Sequence, residues 1–549
     1  MRFNINIMTV INHISKTYKN EYYSWRDNKD LNAAKRQEYL RRNPEAISDY
    51  DLKRAEILLD AVEMMDKASK SNSNKIGVAF ETATDLGLGY AALGGITLGY
   101  LATKLNFVKN FINKITLKYP KSKNIISTGI RLVSGALGIL ATYPIYNSLS
   151  KIESKIHRKT KFETMEKELQ DPRIFVVLNE EQKELFKQNL PELNKNIIKN
   201  IPKDTLVKEF KAIKKISKEA LNYEREQNLF EKKYKEDDSF YEIPLSEKDV
   251  KNAKKDKVLL SILIKEINTK SQSYNEKMQK ITNNLISMSF ALGSLFALCY
   301  ESLTKNLKKS SLSANSGVLL LITSTFFANW AQRRASHVGK FKAIQELKQN
   351  PEQLIYISKK KLDLINDDDI QLEEKQKTNS IKFIKDFFEH NKEYKKWKQT
   401  ESYTGKDISK AMENIEISEK QLQDGKRLQK NLFKTLYKID KNTQNYSNNI
   451  DVISESIKYP ITLGLGTVGS VFGMKHLIKL RNTTKPIEIF KNSIKYIGTI
   501  TLFTIPTLIL NSYIAKTQKR GARISDMMTM KDLEDYRFFA DYSQFIENP

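Results

Sequence analysis

Cysteine is almost missing from this chain. A single Cys299 stands among 549 residues, which excludes an intramolecular disulfide framework and any zinc site built from several thiolates. Arginine is scarce as well, supplying 17 of the 92 basic residues. The formal charge of +27 invites a nucleic-acid reading, but arginine is the side chain suited to bidentate recognition of phosphate and guanine, so its scarcity weakens that reading and nucleic acid is not the expected partner. A lysine-rich surface is either solvated or drawn to anionic lipid headgroups, which clustered basic residues beside apolar segments favour.

The machinery of chemistry is missing too. Five histidines, His13, His157, His337, His390 and His476, share no metal-ligand spacing with one another or with Cys299, so no metal is expected. No loop ends in Gly-Lys-Ser or Gly-Lys-Thr to cradle a phosphate. Asp367-Asp368-Asp369, with Glu373 and Glu374 behind it, lacks the glycine turn and alternating ligands of a calcium loop and reads as a solvated helix start. Carboxylate pairs are too numerous to single one out for acid–base work. No catalytic residue and no cofactor is expected, and the chain is read as a protein that is not an enzyme. Its first 20 residues, with Arg2 and an apolar run broken by Asn4, Asn6 and Asn12, have no small-residue cleavage site and make a poor signal peptide.

Mean hydropathy is −0.51, so apolar character has to be concentrated in windows. Six uncharged windows occur: Leu86 to Thr103, Leu132 to Ser150, Ile281 to Tyr300, Ser310 to Gln332, Tyr459 to Met474 and Tyr496 to Ala515. They approach the roughly 20 residues that a helix needs to cross the hydrocarbon layer. Connections of 28, 9 and 21 residues join them in pairs, and short connections make antiparallel neighbours. The expectation is an all-α, polytopic membrane protein with three transmembrane helical hairpins, or six spans, and a multi-pass membrane location. The intervening segments are Lys-rich, helical and water-exposed.

The expected organisation is a polar helical segment 1–85, hairpins 86–150, 281–332 and 459–515, charged helical segments 151–280 and 333–458, and a C-terminal collar and motif 516–549. Small-residue pairs at spacing four mark the first helix of each hairpin: Gly95 with Gly99, Gly293 with Ala297, and Gly469 with Gly473. Such pairs permit close helix packing. A basic collar follows each second helix. Lys151, Lys155, Arg158, Lys159 and Lys161 form the first, Arg333, Arg334, Lys340 and Lys342 the second, and Lys516, Lys519, Arg520 and Arg523 the third. Headgroup depth is where such collars settle. Basic residues are balanced between the hairpin connections and their outer flanks, so sidedness is not readable.

An internal repeat accompanies the hairpins. The run Lys167 to Phe175, KELQDPRIF, matches Lys531 to Phe539, KDLEDYRFF, at five of nine positions. After the second hairpin, Lys340-Phe341 leads to Asn350-Pro351 across the same span that joins Lys161-Phe162 to Pro172. Leu40-Arg-Arg-Asn-Pro-Glu45 resembles Leu347-Lys-Gln-Asn-Pro-Glu352 and is either a decayed copy or a coincidence. A polar residue followed by proline stops a helix, and the apolar run behind it packs the chain that follows. A recognition role for Arg173 and Arg537 is the alternative.

Three functions are compatible with this reading. The first is a structural, membrane-organising or scaffolding protein whose helical modules bind protein partners above a lipid bilayer with anionic headgroups. The second is a channel or transporter lined by Asn283, Asn284 and Asn329. The third is a secreted effector that inserts its hairpins into a target membrane.

Overall fold

The computed structural model describes residues 31–69, 81–83, 101–118, 161–193, 245–304, 310–370, 380–439 and 485–496, together with isolated positions that include Val78, Phe539 and Ala540. Besides a single turn at Lys359–Leu362, their main helices are α1 (31–42), α2 (Asp49–Ala68), α3 (Asn106–Lys118), α4 (161–169), α5 (Glu180–Asn189), α6 (Glu247–Thr304), α7 (Ser310–Gln349), α8 (Ser380–Gln399), α9 (Gly405–Met412), α10 (419–439) and α11 (486–496).

Local chemistry starts and stops these helices. Ser48 stands at the N-cap of α2, Asp49 and Asp51 lie in its first turn and Lys67 in its last, each charge favourable at its end of the helix dipole. Asn179 and Gln182 form a reciprocal capping box that opens α5, and Thr404 and Asp407 form another that opens α9. The long helices α6 and α7 lie side by side. Gly339 allows their close approach, since a β-carbon there would fall 2.7 Å from the Lys270 carbonyl oxygen. Beside it the Ser271 and Ser336 hydroxyls meet at 2.6 Å.

One apolar cluster organises the bundle. It joins Leu58, Leu59 and Val62 of α2, Met165 and Leu169 of α4, Leu260 and Leu263 of α6, Ile344 and Leu347 of α7, and Leu428 and Leu432 of α10. The core therefore draws on segments spread from 49 to 540. A second cluster packs Met278 of α6 and Val338 and Phe341 of α7 against Phe383, Phe387 and Tyr394 of α8.

The repeated motif recurs as one structural device. A 3₁₀ turn follows α1 at Pro44–Ala46, α4 at Pro172–Phe175 and α7 at Pro351–Leu354, and Phe539 also has 3₁₀ geometry. Proline suits the first turn because its missing N–H has no partner to lose. Ile174, Phe175, Leu354 and Phe539 all enter the main cluster. The copy at 43–46 ends its helix in the same way but buries no side chain in its turn. Gly425 on α10 lets the second turn lie close, because a β-carbon there would fall 2.8 Å from the Pro172 carbonyl oxygen.

The six-span membrane architecture, and with it the multi-pass membrane location, is overturned: among the described residues no helix is long and apolar enough to cross a membrane. The windows Ile281 to Tyr300 and Ser310 to Gln332 are portions of the longer α6 and α7, whose remaining turns mix charged residues with core-facing apolar ones. Buried polar groups interrupt them. Asn329 Nδ2 donates to Thr82 Oγ1 at 3.3 Å, Gln332 Nε2 donates to Thr282 Oγ1 at 2.9 Å, and Thr282 returns its hydroxyl to the Met278 carbonyl at 3.1 Å. Amides and hydroxyls satisfied by neighbouring protein groups belong to a bundle interior. The windows of the first and third hairpins lie almost wholly outside the described residues.

Candidate functional site: a groove beside α2

Helix α2 has two working faces. Ala55, Leu58, Leu59, Val62 and Met65 turn into the core, while Lys53, Glu56, Ile57, Asp60, Glu63, Met64 and Lys67 line an open groove of about 480 Å³. The helical period of 3.6 separates these sets. Opposite α2 stand the segment from Arg173 to Leu178 and Phe186 of α5, while Ile408 and Met412 of α9 supply further apolar lining. The lining is thus apolar at its floor and charged along its rim.

Several devices hold the walls. Gln421 Nε2 donates to the Val177 carbonyl at 3.1 Å and to Gln182 Oε1 at 3.0 Å, tying the wall segment and α5 to α10. Gly405 N donates to Glu168 Oε2 at 3.1 Å, and a β-carbon at Gly405 would lie 1.6 Å from the Glu168 carbonyl oxygen. Only glycine lets α9 start against the end of α4. Asp171 Oδ1 accepts from the Arg173 main-chain N–H at 3.0 Å, and Arg173 Nη2 lies 2.6 Å from Asp171 Oδ2.

The rim charges are mostly paired. Lys53 bridges α2 to α5 through Glu180 at 2.8 Å. Lys348 of α7 reaches Asp60 at 2.6 Å and also pairs with Glu63, whose other oxygen accepts from Trp397 Nε1 at 2.7 Å. Desolvation pulls the Lys348 ammonium down, but the Asp60 and Glu63 carboxylates together hold it above its ordinary value. For Glu63 burial pushes up, and the hydrogen bonds from Lys348 and Trp397 outweigh it, leaving its pKa lowered. Glu56 and Asp60 are exposed on the α2 wall, and Lys183 is exposed on the α5 wall.

At the far end of α2 a second charged cluster closes the helix. Lys398 Nζ donates to the Asp66 carbonyl at 2.7 Å and the Ser69 carbonyl at 2.8 Å, a cation placed on the negative end of the dipole. Burial lowers its pKa to about 8. Burial raises that of Asp66. Arg334 stacks on the Tyr394 ring at 4.4 Å and donates to Asn391 Oδ1 at 2.7 Å.

Of the residues singled out in the sequence, Arg333 donates to Glu81 at 2.8 and 2.9 Å and Lys342 pairs with Glu393 at 3.3 Å. Lys340 lies on α7 and Lys161 begins α4. Gly293 and Ala297 lie on α6, their side-chain surroundings outside the described residues. Gly95, Gly99, Gly469, Gly473, Lys151, Lys155, Arg158, Lys159, Lys516, Lys519, Arg520 and Arg523 lie outside the described residues, as does Arg537. Asn283 is buried on α6. Among the described residues no group of three or more His, Cys, Asp or Glu side chains could hold a metal ion.

Apart from Arg173, for which the sequence offers a recognition role, the groove residues are not marked out by the sequence. Their signal was present in α2, where Ile57 and Met64 sit seven apart beside a separate apolar set, flanked by charges at 53, 56, 60, 63 and 67. The fold and groove define a class, an all-helical bundle with an apolar-floored surface cleft. Comparison of the chain with family models, with curated proteins and with solved structures finds no match.

Proposed function

We propose that this protein is a non-enzymatic scaffold that binds an amphipathic helix of a partner protein in the groove beside α2. The observation that supports it most is the composition of the cleft: Ile57, Met64, Val176, Phe186, Ile408 and Met412 line it, with Glu56, Asp60 and Glu63 between Lys53 and Lys67 on one wall and Lys183 on the other. An amphipathic helix lays its apolar face into such a groove at i, i+4 and i+7. The α2 wall from Lys53 to Lys67 is about 21 Å long at 1.5 Å per residue, which matches roughly four turns of partner helix. Glu56 favours lysine on the partner's near flank, and Lys183 favours a carboxylate on the far flank.

Two fluorescent helical peptides test this, with one apolar face but opposite arrangements of Lys and Glu on the flanks. Fluorescence anisotropy with the full chain is expected to show binding of the lysine-near arrangement, weakened at least about tenfold by Met64→Asp or Ile408→Asp, in line with loss of a buried apolar contact. Equal binding of both peptides, or binding unchanged by either substitution, would remove the groove from the function.

A further inference from the structure

Helices α3 and α11 carry an arrangement that the bundle does not use. On α3, Ile112 is buried, and the opposite side presents Phe107, 72% exposed, with Phe111 and Leu117 more than half exposed. Lys114 lies seven residues beyond Phe107, on the same face at the helical period. On α11, Ile489 and Tyr496 are buried, whereas Ile487 is 82% exposed and Phe490 and Ile494 are more than half exposed. Exposed Lys491 and Lys495 lie among and beside them. Both helices thus turn aromatic and aliphatic side chains outward, interleaved with lysine.

The charge on these helices is one-sided. From 101 to 123 there are six lysines and no carboxylate, and α11 has a single acidic residue, Glu488. An outward apolar patch on a water-facing helix costs free energy unless something covers it. A protein partner matched to these faces would have to supply acidic groups around an apolar pocket at two separate helices. An anionic bilayer surface supplies both properties at any position along it, with apolar depth beneath a sheet of negative charge. Lysine stems lie along the apolar layer while their ammonium groups stay at the phosphates.

We infer that α3 and α11 are surface-docking helices that lie in the headgroup layer of an anionic lipid bilayer without crossing it. Phe107, Phe111, Leu117, Ile487, Phe490 and Ile494 insert, and Lys114, Lys491 and Lys495 contact the phosphates. A helix lying in the interface needs about one apolar face rather than 20 apolar residues, so this docking is compatible with the absence, among the described residues, of a helix able to span. It is independent of the groove beside α2.

Flotation of the full chain with vesicles tests it, using phosphatidylcholine alone and phosphatidylcholine containing phosphatidylserine. The wild type is expected to float with the anionic vesicles and to be released by raised salt, because each lysine at such a surface contributes about fivefold to partitioning. The variant F107S/F111S/F490S/I494S is expected to lose on the order of tenfold or more in partitioning, with circular dichroism and melting temperature unchanged because these side chains are exposed. K114E/K491E/K495E is expected to lose the preference for anionic vesicles. Three results overturn the inference: no flotation of the wild type, equal flotation with both vesicle types, or wild-type flotation of the serine variant. A wild type that fails to float and is dimeric by light scattering, with a monomeric serine variant, overturns it in favour of a second copy as the occupant.

Discussion

Arg54 on α2 and Asp256 on α6, 202 positions apart, form an ion pair that is almost wholly withdrawn from solvent. The second oxygen of Asp256 accepts from Asn431 Nδ2 at 3.0 Å and from Arg427 Nε at 3.3 Å, so one carboxylate ties three helices. Asn431 Nδ2 also reaches the Phe539 carbonyl at 3.0 Å. Arg427 pairs in turn with Asp424 at 2.9 Å, which accepts from the Tyr50 hydroxyl at 3.1 Å. Burial, with Asp424 beside it, pushes Tyr50 up to about 12. Two guanidinium groups thus balance two carboxylates at the seam of α2, α6 and α10.

Removing one member of this network strands the others. Asp256→Asn leaves Arg54 charged in the interior and is expected to cost about 3–5 kcal/mol, measured by urea denaturation. The pair Arg54→Met with Asp256→Leu is expected to recover most of that loss, because a well-packed apolar pair need not be desolvated. A single variant within about 0.5 kcal/mol of the wild type, the range of neutral surface changes, would show that the network is not closed in solution.

The repeated turns make a second expectation. Phe175, Leu354 and Phe539 reach one cluster from three distant parts of the chain. Truncation to alanine is expected to cost about 3–5 kcal/mol for each phenylalanine and 2–5 kcal/mol for the leucine. Glu45→Ala, in the turn that buries nothing, is expected to stay within about 0.5 kcal/mol. Thermal melting of the four variants separates the copies that carry the core from the one that only ends a helix.

Lys398 makes stability depend on alkaline pH. Its pKa falls from an ordinary 10.5 to about 8 in the folded chain. Between those values the unfolded chain holds a proton that the folded chain has released, so stability rises with pH across this window. The full gain is at most about 3 kcal/mol, less where solvent screens the ammonium. Below about 8 both states are protonated and the cost of the buried charge is present in full. Denaturation midpoints from pH 7 to 10 are expected to climb relative to Lys398→Met. Parallel curves would mean that the ammonium is solvated.

Helical character and the repeat were legible in the sequence. Pro172 and Pro351 sit at the starts of their 3₁₀ turns because proline tolerates that position whatever its surroundings. The six-span expectation fails at α6 and α7, where each uncharged window is only part of a longer helix. Charge is countable in one dimension, but whether Asn329 finds Thr82 or Gln332 finds Thr282 depends on chain segments 247 and 50 positions away. The groove was hidden for a similar reason. Ile57 and Met64 look like core positions by period, yet the placement of α5 and α9 leaves them half-buried at the edge of the main cluster.

The sequence by itself determined the helical character, the lysine-rich charge, and the recurrence of one Pro-led turn, since all of these follow from local backbone and side-chain chemistry. Tertiary structure alone decided which carboxylate would be buried among guanidinium groups, which face of α2 would stay open, and which outward faces of α3 and α11 would remain uncovered. These depend on packing between segments hundreds of residues apart, and the energy of each contact exists only once its distant partner is in place.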